Sequence, residues 1–187
     1  MERKELASTV QVPHTEGQDM DKSANGIPSD KLDLKGLTES LLTEQRTLTL
    51  ATAQGDTPWA AAVYYANRGF TLYFFSDPAS RHIQESLKNG RASGAISVPA
   101  STWKEIRGIQ ASGIISLVPP GLESIQSLRA YLKKYPFTKD FFDSTQELNL
   151  SAMMNRFKVR LYRFQPSVLY YLDNHIRFGF RERVELA

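Results

Sequence analysis

Four side chains at positions 76 to 82 have the chemistry of an anion site. Ser76 and Ser80 carry hydroxyls, Arg81 carries a permanent positive charge, and His82 has an imidazole that can donate a hydrogen bond. They fall where an aromatic-rich segment, residues 70–75, passes into a segment of helical character. A helix N-terminus with hydroxyls and a fixed cation suits a phosphate group. The spacing therefore predicts an anion site at this strand-to-helix junction.

The same stretch also has a purely structural explanation. Asp77 and Pro78 are typical of the N-cap and the first position of a helix, which predicts a helix over about residues 78–88. A capping Asp77 would occupy the free amides and repel a phosphate. Capping does not account for Arg81, because a cation in the first turn opposes the helix dipole. From the residues alone, phosphate binding and plain capping stay equally open.

The surrounding segments are predicted to be mostly strands. Period-two patterns indicate strands over residues 46–54, 59–67, 70–75 and 92–98. A long strand over residues 103–118 contains Gly108 and Gly113, and interior glycines often mark bulges or barrel bends. Three further strands are predicted over residues 157–164, 167–172 and 178–186, with Pro166 breaking the first two apart.

Helices are predicted on either side of these strands. Residues 34–45 form an amphipathic pattern, and residues 122–135 place Leu122, Ile125, Leu128 and Leu132 on one stripe. Residues 137–155 are mixed and partly helical, with Phe141, Phe142, Met153 and Met154 as core anchors. Hairpin-connected strands with interior glycines and inserted helices predict an α+β fold built on a closed or partly closed antiparallel barrel of six or seven strands.

Composition narrows the classes of protein. The chain has 187 residues, of which 41% are hydrophobic and 11% aromatic, enough for one domain with a substantial core. Residues 1–35 resemble a flexible tail, which leaves residues 36–187 as the domain. No apolar run reaches the ~20 residues that span a bilayer. The N-terminal residues 1–14 lack the apolar centre of a secretory signal, so we expect a cytoplasmic protein without membrane contact.

Other chemistries have little support in the residues. The absence of cysteine excludes disulfides, thiolate metal sites and a cysteine nucleophile. Outside the predicted tail only His82 and His175 remain, which is weak for a metal site, and no glycine-rich nucleotide motif or serine-hydrolase elbow occurs. The net charge of +3 is modest. The alternating basic residues at 156, 158, 160 and 163 fit a solvated strand face better than a nucleic-acid site, so no nucleic acid is expected.

Taken in order, the motifs resemble a known family. They are the first helix, TLATAQGDTPWAAAVYYA, TLYFFSDPASRHIQESLKNGRASGAI, a strand containing EIRGIQASG, a second helix, LYRFQPSVLYYLDN and FGFRERVEL. This order is similar to that of the pyridoxamine 5'-phosphate oxidase-like flavoproteins with the FMN-binding split-barrel fold, and most similar to their small uncharacterised members. The resemblance covers residues 36–187, and it implies a homodimer with flavin in a groove between the subunits.

The resemblance also implies which residues contact the FMN. Arg81 matches the phosphate-binding arginine after Ser80, whereas His82 stands where the family usually has lysine. Gly108 stands where the family usually has glutamine, and Gln110 is expected to substitute for it. The expected contacts to ring, ribityl chain and phosphate are Ala61, Ala62, Val63, Tyr64, Phe75, Ser76, Ser80, Arg81, His82 and Gln110, with Asn174 and Arg181 as weaker candidates from the C-terminal strand.

Small side chains at positions 60–62 allow close approach to the backbone, either by a flat ligand or by a neighbouring element. The family's substrate clamp is not recognisable in residues 173–177, so oxidation of pyridoxamine phosphate itself is not expected. The favoured hypothesis is an FMN-dependent oxidoreductase acting on an unidentified small molecule, with no catalytic side chain assigned. The alternative is a non-catalytic sensor or store on the same barrel that holds flavin or haem, with His175 or His82 as an axial ligand.

Overall fold

A computed structural model describes residues 32–141 and 150–186. The first 31 residues of the predicted tail, Phe142 and the side chain of Phe141 lie outside the description. In the described part, no helix has the length and apolar character needed to cross a bilayer. The elements in chain order are α1 (Leu34–Glu44), β1 (Thr47–Gln54), β2 (Thr57–Arg68), β3 (Thr71–Ser76), α2 (Arg81–Asn89), β4 (Arg91–Ser97), β5 (Arg107–Leu117), α3 (Leu122–Lys134), α4 (Leu150–Phe157), β6 (Arg160–Asp173) and β7 (Arg181–Arg183). Short 3-10 turns cover Trp103–Glu105 and Pro136–Phe141.

The strands form one antiparallel sheet that closes on itself. Its order is β3-β2-β1-β4-β5-β6-β7, and β3 also pairs with β6. Strands β1 to β6 therefore close into a barrel, and β7 pairs alongside the C-terminal part of β6. Hairpins join β1 to β2 and β2 to β3, as the turn residues near Gly55 and Gly69 require; both glycines have positive φ. The predicted α+β fold, a split β-barrel with flanking helices, is confirmed.

The core fills the barrel and the space under α1 and α2. On β1, Leu48 and Leu50 are buried while Thr49 between them is exposed, the alternation expected of a half-buried strand. The largest fully buried side chains are aromatic, among them Tyr65, Phe74 and Phe164. This aromatic core fixes which face of β2 and β3 lies inside.

Helix α2 begins later than predicted. Its N-cap is Ser80 and its first residue is Arg81, so the prediction of Asp77 at the N-cap and Pro78 in the first turn is wrong. The carboxylate of Asp77 accepts a hydrogen bond from the amide of Ala79, 2.8 Å away. Asp77 therefore closes a turn upstream of the helix, and the helix N-terminus itself is left to Ser80.

Strand β6 runs through Pro166 without a break, contrary to the prediction. The register between β5 and β6 shifts between Ser112 and Gly113, so that Gly113 lies opposite Pro166 and Ser167 is the extra residue. A β-bulge can accommodate a proline in the interior of a sheet. The close approach also requires Gly113, because a Cβ there would lie 2.8 Å from the Cα of Pro166. The predicted role of an interior glycine at a bulge is confirmed here.

Three other predictions need correction. Strand β5 starts at Arg107 rather than 103, because Trp103–Glu105 forms a 3-10 turn, and β7 covers only Arg181–Arg183 of the predicted 178–186. Helix α3 buries only part of its predicted stripe: Leu128 is buried, whereas Leu122 and Ile125 are exposed, and Ser124, Ser127 and Tyr131 are buried as well. The hydroxyl of Ser127 donates to the carbonyl of Glu123, so this face of α3 meets the barrel without unsatisfied hydroxyls.

Candidate functional site

The residues predicted to bind an anion lie together at the N-terminus of α2. The Ser76 Oγ lies 2.9 Å from Nε2 of His82 and 3.1 Å from Oγ of Ser80. Ser80 Oγ donates to the carbonyl oxygen of Asp77 at 2.7 Å. Ser76 and His82 are buried, whereas Ser80 is half-buried and Arg81 is exposed. The cluster thus has a buried floor and an accessible rim.

The first turn of α2 is open to an anion. Ser80 is the N-cap, but its side chain makes no hydrogen bond to the first-turn amides. The amide of Ile83 donates to the carbonyl of Ser80 at 3.1 Å, so the amides of Arg81 and His82 are the ones left to bind an anion. The carboxylate of Asp77, which the sequence placed over these amides, is engaged with Ala79. With Arg81 following directly, hydroxyls, amides and a guanidinium provide a donor set that fits a phosphate monoester.

Arg81 is held in place by Glu85 and Trp59, and Glu85 is held in turn by Thr52. Its Nε donates to Oε1 of Glu85 at 2.6 Å, and its guanidinium carbon lies 4.6 Å from the centre of the Trp59 ring. The other carboxylate oxygen, Oε2 of Glu85, accepts from Thr52 Oγ at 2.7 Å. The pKa of Glu85 is held below its usual range by the hydrogen bond from Arg81 and then by that from Thr52. Glu85 is therefore ionised at neutral pH.

His82 is neutral at pH 7. Burial lowers its pKa below the usual 6.5, and the nearby Glu85 carboxylate opposes this shift only in part. A neutral imidazole can donate or accept at Nε2, and its partner there is the hydroxyl of Ser76. His82 therefore contributes a hydrogen-bonding group rather than a charge at neutral pH.

The strand β2 residues divide between its two faces. The register pairs Leu50 with Ala61 and Leu48 with Val63, so both partners face the barrel interior, where Val63 packs against the core. Phe75 is adjacent to Ser76 on β3 and faces the opposite side, where its ring lies 5.1 Å from that of Tyr131 on α3. Of the predicted contacts on β2 and β3, Ala61, Val63 and Ser76 therefore share the inner face of the sheet, and Phe75 lies on the other face.

The other predicted β2 residues lie on an outer sheet face of mostly small residues. Tyr64 is half exposed and packs edge-on against Tyr135 and Phe137. Antiparallel register continues the row of Ala62 across Thr49, Ala95, Gln110 and Tyr170, and a second row joins Ala60, Ala51, Ser93, Ser112 and Val168. A shallow cavity of about 320 Å³ is lined by residues of these rows together with Arg181. Gln110 and Arg81 of the same chain therefore lie on opposite faces of the sheet.

The C-terminal candidates are engaged in contacts within the chain. The side-chain Nδ2 of Asn174 donates to the carbonyl of Trp103 at 2.7 Å, and the Arg181 guanidinium lies 4.0 Å from the ring centre of Tyr170. His175 is exposed, and its Nδ1 lies 3.3 Å from Oδ1 of Asp173. Asp173 therefore contacts the Nδ1 side of the ring. Among the described residues, no side-chain contact of His175 is made through Nε2.

The predicted basic strand face does not form. Arg156 lies on α4 and Lys158 in the turn after it, whereas Arg160 and Arg163 lie on β6. Arg163 is committed to α3, because its Nη1 donates to both carboxylate oxygens of Glu123 at 2.9 Å. The four cations are thus distributed over different elements.

Comparison with known proteins agrees with the fold. No protein-family model matches the chain. A UPF0306 protein of Yersinia pseudotuberculosis is 28% identical over 116 residues, which cover 61% of this chain and 78% of that protein. Among solved structures, a heme-binding protein from Mycobacterium smegmatis has a TM-score of 0.58 at 18% identity, covering 79% of this chain and 57% of that one. A pyridoxamine 5'-phosphate oxidase candidate from Listeria innocua has a TM-score of 0.57 at 18% identity, covering 75% and 99%.

Sequence reasoning missed the residues that surround Arg81. Thr52 and Trp59 are direct partners across the β1–β2 hairpin, and they contact Glu85 and Arg81 of α2 respectively. The i,i+4 spacing of Arg81 and Glu85 is visible in the sequence and predicts a helical ion pair. The burial of Glu85 and its contact with Thr52 depend on the packing of α2 against the hairpin.

Proposed function

We propose that this chain binds FMN and acts as an FMN-dependent oxidoreductase of the pyridoxamine 5'-phosphate oxidase-like class on an unidentified small molecule. The observation that carries the proposal is the convergence of Ser76, Ser80, Arg81 and His82 on the uncapped first turn of α2. A phosphate monoester needs several donors and a positive charge at one place, and this is where the described part of the chain assembles them.

Each residue of the cluster has a definite role in this proposal. Arg81 binds the phosphate oxygens through its outer nitrogens, and the Ser80 hydroxyl would release the carbonyl of Asp77 to donate to them from the rim. Ser76 and His82 form the floor and hold the Ser80 hydroxyl in position. The bound flavin would supply the redox chemistry, and the protein would bind it, orient it and limit access of water. The backbone of residues 61–64 would lie along the ring.

The proposal includes a homodimer with the flavin between subunits. The outer sheet face is built from alanine, serine and threonine side chains on four neighbouring strands, which permits close approach by a second flat surface. Gln110 and Arg181 border that face and lie away from Arg81 of the same chain. In a dimer through this face, Gln110 of one subunit would complete the flavin site of the other. This accounts for the location of predicted contacts on both sides of the sheet.

The experiment is to purify the protein, record its absorption spectrum and identify the extracted ligand by mass. We expect maxima near those of oxidised flavin and a mass equal to that of FMN. The apo-protein should regain the spectrum when FMN is added, and should form a dimer by light scattering. A colourless protein that does not take up added FMN would contradict the proposal. Recovery of FAD instead would correct the cofactor and leave the flavin site in place.

A second candidate function is haem binding without catalysis, and His175 favours it. Its imidazole is exposed and is oriented by the carboxylate of Asp173 through Nδ1, which is the arrangement that usually orients a metal-ligating histidine. His82 is less suitable as an axial ligand, because it is buried and its Nε2 contacts Ser76. The Mycobacterium smegmatis protein of similar fold is a heme-binding protein.

Titration with haemin separates the two candidates. A haem-binding protein gives a Soret band that the His175→Ala substitution shifts or removes, and His82→Ala serves as the matched control. A titration in which His175→Ala leaves the haem spectrum unchanged would contradict a role for His175 as axial ligand.

A further inference from the structure

The carboxylate of Glu85 lies beneath the guanidinium of Arg81. The Glu85 side chain is only 3% exposed, whereas that of Arg81 is 41% exposed. Exposed ion pairs at i,i+4 spacing are flexible and worth only a few tenths of a kcal/mol. Here the carboxylate is fixed at both ends, because Oε1 accepts from Arg81 and Oε2 accepts from Thr52. The pair is therefore a rigid feature of the site rather than a surface salt bridge.

The β1–β2 hairpin supplies both further supports of this arrangement. Thr52 and Trp59 face each other in the register, so they approach α2 side by side. Thr52 fixes the carboxylate, and the Trp59 ring lies against the guanidinium at 4.6 Å, within the range of a cation–π contact. Arg81 is thus restrained at Nε by Glu85 and along its planar face by Trp59.

The restraint leaves the ligand-binding end of Arg81 available. Arg81 uses its Nε to donate to Glu85. Among the described residues, its Nη1 and Nη2 make no hydrogen bond, so they remain to bind an anion. Arginine binds phosphate in a fixed planar geometry. A side chain already ordered before binding loses less conformational freedom when the ligand arrives.

We infer that Glu85, fixed by Thr52, is a positioning residue that pre-organises Arg81 for the phosphate end of the ligand. This inference rests on the proposed function, because it takes the ligand to be FMN. Glu85 acts through Arg81 and contacts no ligand itself. Its negative charge also offsets part of the attraction of Arg81 for phosphate, so orientation and charge have opposite effects on affinity and the experiment must separate them.

The substitution Thr52→Val separates the two effects, because it loosens Glu85 without changing any charge. Kd values for FMN and for riboflavin, which lacks the phosphate, are measured by flavin fluorescence with wild type, Thr52→Val, Thr52→Ser and Glu85→Gln. We expect Thr52→Val and Glu85→Gln to raise the FMN Kd about three- to tenfold, the effect of ordering one long side chain on binding. The riboflavin Kd should stay within about twofold, and Thr52→Ser should restore FMN binding.

A cycle with Arg81→Ala completes the test. Once Arg81 is absent, adding Thr52→Val, which changes no charge, should have no further effect on the FMN Kd, because Glu85 then has nothing left to orient. Equal losses for FMN and riboflavin, an unchanged FMN Kd, or tighter FMN binding by Glu85→Gln and Thr52→Val would each overturn the inference while leaving the proposed function intact. A wild-type protein that binds neither flavin overturns the proposed function and the inference together.

Discussion

Replacing Arg81 with alanine is the most direct test of the anion site. The substitution removes the permanent positive charge from the first turn of α2 and with it the hydrogen bonds proposed to the FMN phosphate. A hydrogen bond to a charged group is worth about 1.5–3 kcal/mol, which corresponds to about a 10- to 150-fold rise in Kd at 25 °C. The side chain is 41% exposed and its Nε is engaged with Glu85. We therefore expect the lower half of this range, about 10- to 40-fold.

The assay is isothermal titration of apo-protein with FMN and, separately, with riboflavin. Arg81→Ala should weaken FMN binding by that factor and leave riboflavin binding nearly unchanged, because riboflavin has no phosphate. The FMN affinity of the wild type should also fall as salt is added, since the interaction is between charges at the surface. Arg81→Lys should give an intermediate loss, because lysine keeps the charge but not the planar pair of donors.

Two controls separate binding from folding. Arg129→Ala removes an exposed cation of the same type from α3, outside the cluster, and should leave both Kd values unchanged. Arg81→Ala also leaves the buried Glu85 carboxylate without its partner, so its thermal unfolding midpoint should fall, and titrations are to be done well below that midpoint. An FMN Kd that does not change in folded Arg81→Ala would mean that the phosphate lies elsewhere, and would refute the reasoning.

Three further predictions concern folding. The free energy of unfolding of the apo-protein should fall as pH drops from about 7.5 to 5.5, because His82 is neutral in the folded state but takes up a proton when unfolded; His82→Gln should flatten this dependence in denaturant titrations at several pH values. Gly113→Ala should cost about 1–3 kcal/mol or more by urea unfolding, because its Cβ meets the backbone of β6; Ser112→Ala, at an exposed neighbour, should cost little. Tyr135→Phe should cost about 1–3 kcal/mol, because its hydroxyl is within 2.7 Å of two backbone carbonyl oxygens and accepts a backbone N–H; an equal loss in Tyr170→Phe, whose hydroxyl has no such contacts in the described part, would contradict this explanation.

Much of the fold could be predicted from local pattern. Period-two alternation located β1 to β4 to within a few residues, because one face of each strand is buried and side chains alternate. Gly113 indicated the bulge, since only glycine tolerates such an approach of β6. The family resemblance agreed with the closed antiparallel topology that the register then established.

The failures have two physical causes. The burial of Ser124 and Ser127 on α3 in place of Leu122, and the passage of β6 through Pro166, depend on what packs opposite each residue. Local hydrogen bonds decided the start of α2, where Asp77 satisfied Ala79 and left the N-cap to Ser80. Propensity gives the commonest solution at such positions, and the local hydrogen bonds or tertiary contacts that form there select another.

The sequence by itself determined that hydroxyls, an arginine and a histidine meet where a strand passes into a helix, because these residues are within seven positions of one another. The tertiary structure alone decided how Arg81 is held. Thr52 and Trp59 are more than twenty positions away from it, and they reach α2 only because the β1–β2 hairpin packs against that helix. The closed barrel likewise decided that Gln110 and Ala62 face outward while Ser76 faces inward, since strand register and not composition assigns each side chain to a face.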